Sequence, residues 1–217
     1  MSHTLILGAS GGIGAALMDA CPGAVGLSRS GDGLDVTDEG ALARLADGLA
    51  GPFERIINAT GALVIDGAGP EKALSQITPQ AMAAQFALNA TGPALLLKHF
   101  APLLPRQGRV VFASLSARVG SIGDNHLGGW YSYRAAKAAQ NQVIRGAAIE
   151  LARRNPDSIV VALHPGTVET GLTKAFVGNR PKVTPREAAA NLLQVLDGLT
   201  PQDTGGFFDQ KGLAIEW

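Results

Sequence analysis

The chain has 217 residues, 46% hydrophobic and 17% charged, with 18 basic side chains against 18 acidic ones. That composition can fill the core of one α/β domain over residues 1–217. The balanced charge argues against a protein that tracks nucleic-acid phosphates, and no apolar run reaches the ~18 residues of a membrane span.

Thr4–Leu7 reads as a first strand, so no signal peptide is expected ahead of it. Gly8-Ala9-Ser10-Gly11-Gly12-Ile13-Gly14 follows, and then a helical pattern over Gly12–Cys21. Strand, glycine turn and helix together form a cradle for a dinucleotide pyrophosphate. The glycines bring backbone N–H groups close, and the helix start adds partial positive charge. The spacing is G-x-x-x-G-x-G rather than G-x-G-x-x-G. Gly8, Ser10, Gly11, Gly12, Ile13 and Gly14 are the expected contacts. Cys21, the one cysteine, allows no internal disulfide and suits a reducing cytoplasm.

A second strand, Ala24–Leu27, ends in Ser28-Arg29-Ser30. An acidic side chain here would bind the ribose hydroxyl of NAD, whereas an arginine can pair with the 2′-phosphate of NADP. Ser28 stands at the acidic position and Arg29 follows it, so NADP(H) is favoured over NAD(H). Further strands are expected at Leu34–Val36 (very short), Arg55–Asn58, Val110–Ser114, Ile159–Leu163 and Gly206–Phe208. Helices are expected at Glu39–Leu49, Thr78–His99, Tyr131–Arg154 and Pro185–Leu199. Alternating strands and helices imply a doubly wound α/β fold, with a parallel sheet of about seven strands and helices on both faces. Residues 61–72 and 116–129 read as loops past the carboxyl ends of strands, where α/β ligands bind. His3, His99, His126 and His164 lack metal-ligand spacing, so no metal site is expected.

Tyr133 and Lys137 open the long fourth helix, one turn apart on one face. A free phenol, with a pKa of ~10, is poorly matched to neutral pH. A neighbouring ammonium lowers it and lets the phenol exchange protons with a carbonyl or alcohol oxygen. Tyr131 is six residues from Lys137 and lies elsewhere on the helix.

With Y-x-x-x-K placed after G-x-x-x-G-x-G, the sequence resembles the short-chain dehydrogenase/reductase family over nearly its whole length. The resemblance implies a Rossmann fold and NADP(H)-linked interconversion of a carbonyl compound and an alcohol. Asp35-Val36 resembles the family's adenine-contacting pair. Asn58-Ala59-Thr60-Gly61 resembles its turn after the fourth strand, departing at Ala59 and Thr60. Asn89 matches the asparagine that carries a water in the proton relay. Pro165-Gly166-Thr167-Val168-Glu169-Thr170 matches the turn at the nicotinamide end, with Pro165, Gly166, Val168 and Thr170 as cofactor contacts.

The family's substrate-orienting serine has several possible counterparts here. Counting from Gly108 reaches Leu115, and counting back from Gly120 reaches Ser114 or Ala117. Ser116, in the loop facing Tyr133, is chosen, with Ser114 as fallback. The gap between Ser116 and Tyr133 is longer than is common in the family. The added residues 122–130 and the ending Gly212–Trp217 resemble the C-factor-like and Sniffer-like carbonyl reductase subgroup. His126, Trp130, Leu172 and Phe176 flank the expected site and are the substrate-pocket candidates. The small residues of Tyr131–Arg154, among them Ala135, Ala138 and Ala147, would allow close pairing in a homodimer or homotetramer. The alternative reading is an NADP(H)-binding sensor or signalling protein with little turnover.

Overall fold

The computed structural model describes residues 3–171 and 182–217. Six strands, β1 (Thr4–Leu7), β2 (Val25–Leu27), β3 (Arg55–Asn58), β4 (Val110–Leu115), β5 (Ser158–His164) and β6 (Phe207–Asp209), form one parallel sheet in the order β2-β1-β3-β4-β5-β6. The helices are α1 (Gly12–Ala20), the single turn α2 (Arg29–Asp32), α3 (Glu39–Asp47), α4 (Pro79–Phe86), α5 (Gly92–Phe100), α6 (Tyr131–Arg154) and α7 (Pro185–Gly198).

The strands are nearly all apolar because both faces of the sheet are covered. Successive side chains alternate between the faces. Leu5 and Leu7 join Leu42 of α3, Leu96 and Phe100 of α5 and Ile144 of α6. Ile6 joins Leu17 of α1 and Leu192 and Leu196 of α7 on the other side. The strand order reverses beside β1, where the chain leaves for β2 and returns to β3. A crevice therefore opens past the carboxyl ends of β1 and β3.

The expected strand at Leu34–Val36 does not form. Gly33 takes a left-handed conformation (φ 76°), and the Leu34 and Asp35 N–H groups donate to Ser28 and Gly33 carbonyls in a turn. Leu34 and Val36 are buried, so their apolar character serves the core instead of a seventh strand. The expected helix Thr78–His99 is interrupted by a π turn at Ala87–Thr91, which separates α4 from α5.

Candidate active site

Gly8 leaves β1 with φ 93°, a backbone state that favours glycine. A Cβ on Gly14 would lie 2.0 Å from the Gly8 carbonyl oxygen, so α1 can start this close to the turn only with glycine there. No side chain caps α1, and its first turn holds no acid. Its leading N–H groups suit an anionic pyrophosphate, so the turn fits a pyridine dinucleotide.

Gly11, Gly12 and Ile13 border a cavity of about 680 Å³ that Ala59, Gly61, Ser116, Trp130, Tyr133, Pro165, Gly166, Val168 and Thr170 also line. Ser10 is exposed at the turn. Asn58 and Thr60 lie beneath it: the Asn58 Oδ1 accepts from the Thr60 N–H (2.9 Å) and hydroxyl (2.7 Å).

The adenosine end differs from expectation at Ser28. Its N–H and hydroxyl both donate to Asp32 Oδ2, at 2.8 and 3.1 Å, and its Oγ accepts from the Gly31 N–H at 3.0 Å. Ser28 is thus committed to capping α2, whereas the neighbouring Arg29 is exposed. Asp35 accepts from the Thr37 N–H and hydroxyl, which hold its carboxyl below the usual range. Val36 is buried against Gly92.

Tyr133 and Lys137 lie on the inner face of α6, with the Lys137 Nζ 5.8 Å from the centre of the Tyr133 ring. Burial pushes the phenol above its ordinary value and brings the ammonium down to about 7. Lys137 donates to Gln140 Oε1 at 2.8 Å and to the Leu115 carbonyl at 3.3 Å. Gln140 Nε2 donates to Ser114 Oγ at 2.9 Å, and Asn58 Nδ2 donates to the same oxygen at 2.8 Å. Ser114 is therefore engaged beneath the sheet end. Ser116 reaches the cavity, with its hydroxyl donating to Asn141 Oδ1 at 2.6 Å.

Asn89 sits in the π turn, fully buried. Its amide donates to the Ala62 carbonyl (2.7 Å) and Gln85 Oε1 (2.6 Å), and accepts from the Ala62 N–H (3.1 Å). Gly61 lies between Asn89 and Lys137: a Cβ there would be 3.1 Å from Asn89 Oδ1 and 3.5 Å from Lys137 Nζ.

Of the substrate candidates, Trp130 lines the cavity, its ring edge-on to Tyr133 at 6.2 Å between centroids. His126 does not. It is exposed, and Asp124 and Leu127 of the same loop face the cavity instead. Leu172 and Phe176 fall outside the described residues.

Several polar groups were missed from sequence. Gln140 and Asn141 follow Lys137 by three and four positions, and that helical spacing was the available signal. Glu71 carried no such signal. It reaches across from a loop to the start of α6, where its carboxylate accepts the Ser132 N–H (3.2 Å) and hydroxyl. His164 also lines the cavity, with Nδ1 buried and unpartnered among the described residues. Burial first, and the Arg118 charge second, bring it down to about 4.

A family model described as Enoyl-(Acyl carrier protein) reductase matches residues 24–206. A Rhodococcus 1-hydroxy-2-glutathionyl-2-methyl-3-butene dehydrogenase is 34% identical, over 85% of this chain and 79% of its own length. The C-signal protein of Myxococcus xanthus is also 34% identical, over 77% of this chain and 94% of its own length. The carbonyl reductase Sniffer of D. melanogaster superposes with a TM-score of 0.84 at 21% identity, each chain fully covered. An NADPH-bound carbonyl reductase from chicken fatty liver superposes at 0.82 with 24% identity, covering 100% of this chain and 99% of its own. The chain belongs to the short-chain dehydrogenase/reductase family of oxidoreductases; the expected likeness to the C-factor protein is borne out in sequence and that to Sniffer in fold.

Proposed function

We propose that the protein interconverts a carbonyl compound and an alcohol with NADP(H). The observation that carries this reading is a single cavity that joins the uncapped start of α1 to Tyr133 and Ser116. A bound nicotinamide cofactor would supply or accept the hydride. The α1 N-terminus would hold its pyrophosphate, and Arg29 a 2′-phosphate. An NADPH-bound structure among the similar folds supports that preference.

Tyr133 is the acid/base. Burial pushes its phenol above the ordinary value, which keeps it protonated but opposes proton release, so donation to a carbonyl oxygen depends on positive charge beside it. Lys137 favours the phenolate left behind whenever it carries its proton. Ser116 orients the substrate oxygen. Its proton is held by Asn141, whose Nδ2 is buried without a partner among the described residues. Turning that amide over would let Nδ2 donate to Ser116 Oγ and free the serine proton for substrate. Asn89 fixes residues 61–63 and supports proton relay beside Lys137. We read the protein as a cytoplasmic homodimer or homotetramer.

The C-signal relative favours a second reading, an NADP(H)-binding signalling protein with little turnover. Titration with NADPH and NADH, followed by an absorbance assay on aldehydes, ketones and quinones, separates the two. Tight NADPH binding with turnover supports the enzyme. Binding without turnover favours the signalling role, and no binding of either nucleotide contradicts both.

A further inference from the structure

We propose that residues 213–217 set the position of the substrate-pocket wall, with Trp217 as a positioning residue. This rests on the cavity being the carbonyl-substrate site. The wall includes Arg118, Asp124 and Leu127. Its outer part cannot be held by its own burial, because Ile122 and Leu127 are 77% and 79% exposed.

Beyond the hydrogen bonds within the segment and one from Arg134, two ties join the wall to β6 and the chain that returns along it. In the first, the Gly123 N–H donates to the Trp217 carbonyl at 3.0 Å. The Trp217 ring stacks on buried Phe207, with centroids 5.5 Å apart and planes at 22°. The strand-like return is fixed by Ile215 N–H to Phe207 O (2.7 Å) and Asp209 N–H to Leu213 O (2.9 Å). Approach is close: a Cβ on Gly123 would lie 2.5 Å from Glu216 Cδ. In the second tie, Arg118 bridges Asp124 (3.2 Å) and Asp209 (3.3 Å), and Asp209 Oδ1 also accepts the Lys211 and Leu213 N–H groups. A wall fixed in this way presents Leu127 and Asp124 to the substrate at a set distance from Tyr133. Loosening it weakens substrate placement and leaves the proton-transfer residues and the glycine turn in place.

The test compares Trp217→Ala and Trp217→Phe in the full chain. The readouts are KM and kcat for a small and a bulky ketone, NADPH affinity, melting temperature and amide exchange across residues 118–130. Expected for Trp217→Ala is a KM raised about 5- to 20-fold, as for lost uniform binding, with kcat and NADPH affinity within about twofold. Exchange at residues 122–128 should accelerate, and Trp217→Phe, which keeps a stacking ring, should restore both. Gly123→Pro removes the donor and crowds Glu216 while β6 itself is unaltered, and should reproduce the effect if Trp217→Ala fails to fold. Unchanged exchange in a folded Trp217→Ala or Gly123→Pro overturns the proposal. So does a joint fall in kcat, NADPH affinity and melting temperature that phenylalanine does not rescue. If the wild type reduces no carbonyl compound, the functional reading fails while exchange still decides whether the tie exists.

Discussion

The Tyr133 phenol and the Lys137 amine are displaced toward their neutral forms by the same burial. Between about 7 and its ordinary value of 10.5, Lys137 binds less proton in the folded state than in the unfolded one. Its contribution to stability is therefore full above 10.5 and is lost as pH falls toward 7. The slope reaches ~1.4 kcal/mol per pH unit for one proton. Tyr133, shifted the other way, acts oppositely above its ordinary value of 10.0. Melting temperature measured from pH 6.5 to 10 should rise less steeply in Lys137→Met than in the wild type; an equal slope contradicts the assignment. Tyr133 and Lys137 were legible because helical spacing dictates a shared face. The serine was not. Counting along a strand does not tell which hydroxyl neighbouring amides will engage, and Asn58 with Gln140 engages Ser114. His126 failed for a related reason, since loop residues have no period that fixes their direction.

The ends of α6 were read correctly, yet the device that starts it was invisible. Trp130 precedes the helix in a left-handed conformation (φ 53°) and offers no side-chain cap. Glu71 supplies the cap from another segment: its carbonyl accepts the Trp130 N–H, and its carboxylate accepts from Ser132, next to Tyr133. Burial pulls the Glu71 carboxyl upward, but the Ser132 hydroxyl, Glu71's own backbone N–H and the Ser132 N–H together outweigh this and leave it below the usual range. Glu71→Ala should cost ~1–3 kcal/mol, for a lost cap and buried donors left unpaired. Thermal or denaturant unfolding reads this directly, and a stability unchanged within ~0.5 kcal/mol would contradict the capping role. The π turn at Ala87–Thr91 was equally hidden. Periodicity runs through it, while the added backbone residue brings Asn89 to the 61–63 loop.

At the scale of the molecule, the topology followed from the alternation of apolar strands with amphipathic helices, because only a sheet covered on both faces buries both sets. The strand count differed by one because Leu34 and Val36 reach the core from a turn. The proposed pairing of two copies would use the outer face of α6. Ala136 and Ala148 are buried in the chain's own core and half-buried Ala147 packs against it, whereas Ala135, Ala138 and Ala139 are half-buried and Ile149 is 49% exposed. That face is open enough for a second copy, and light scattering should give a dimer or tetramer mass; a monomer mass would rule pairing out.

The role proposed for Tyr133, proton transfer linked to NADPH at the cavity, is read out by NADPH oxidation in Tyr133→Phe against the wild type, on whichever carbonyl compound the wild type reduces. Turnover should fall ~10²–10⁴-fold, with NADPH affinity retained. Turnover unchanged in a variant that binds NADPH normally would contradict it.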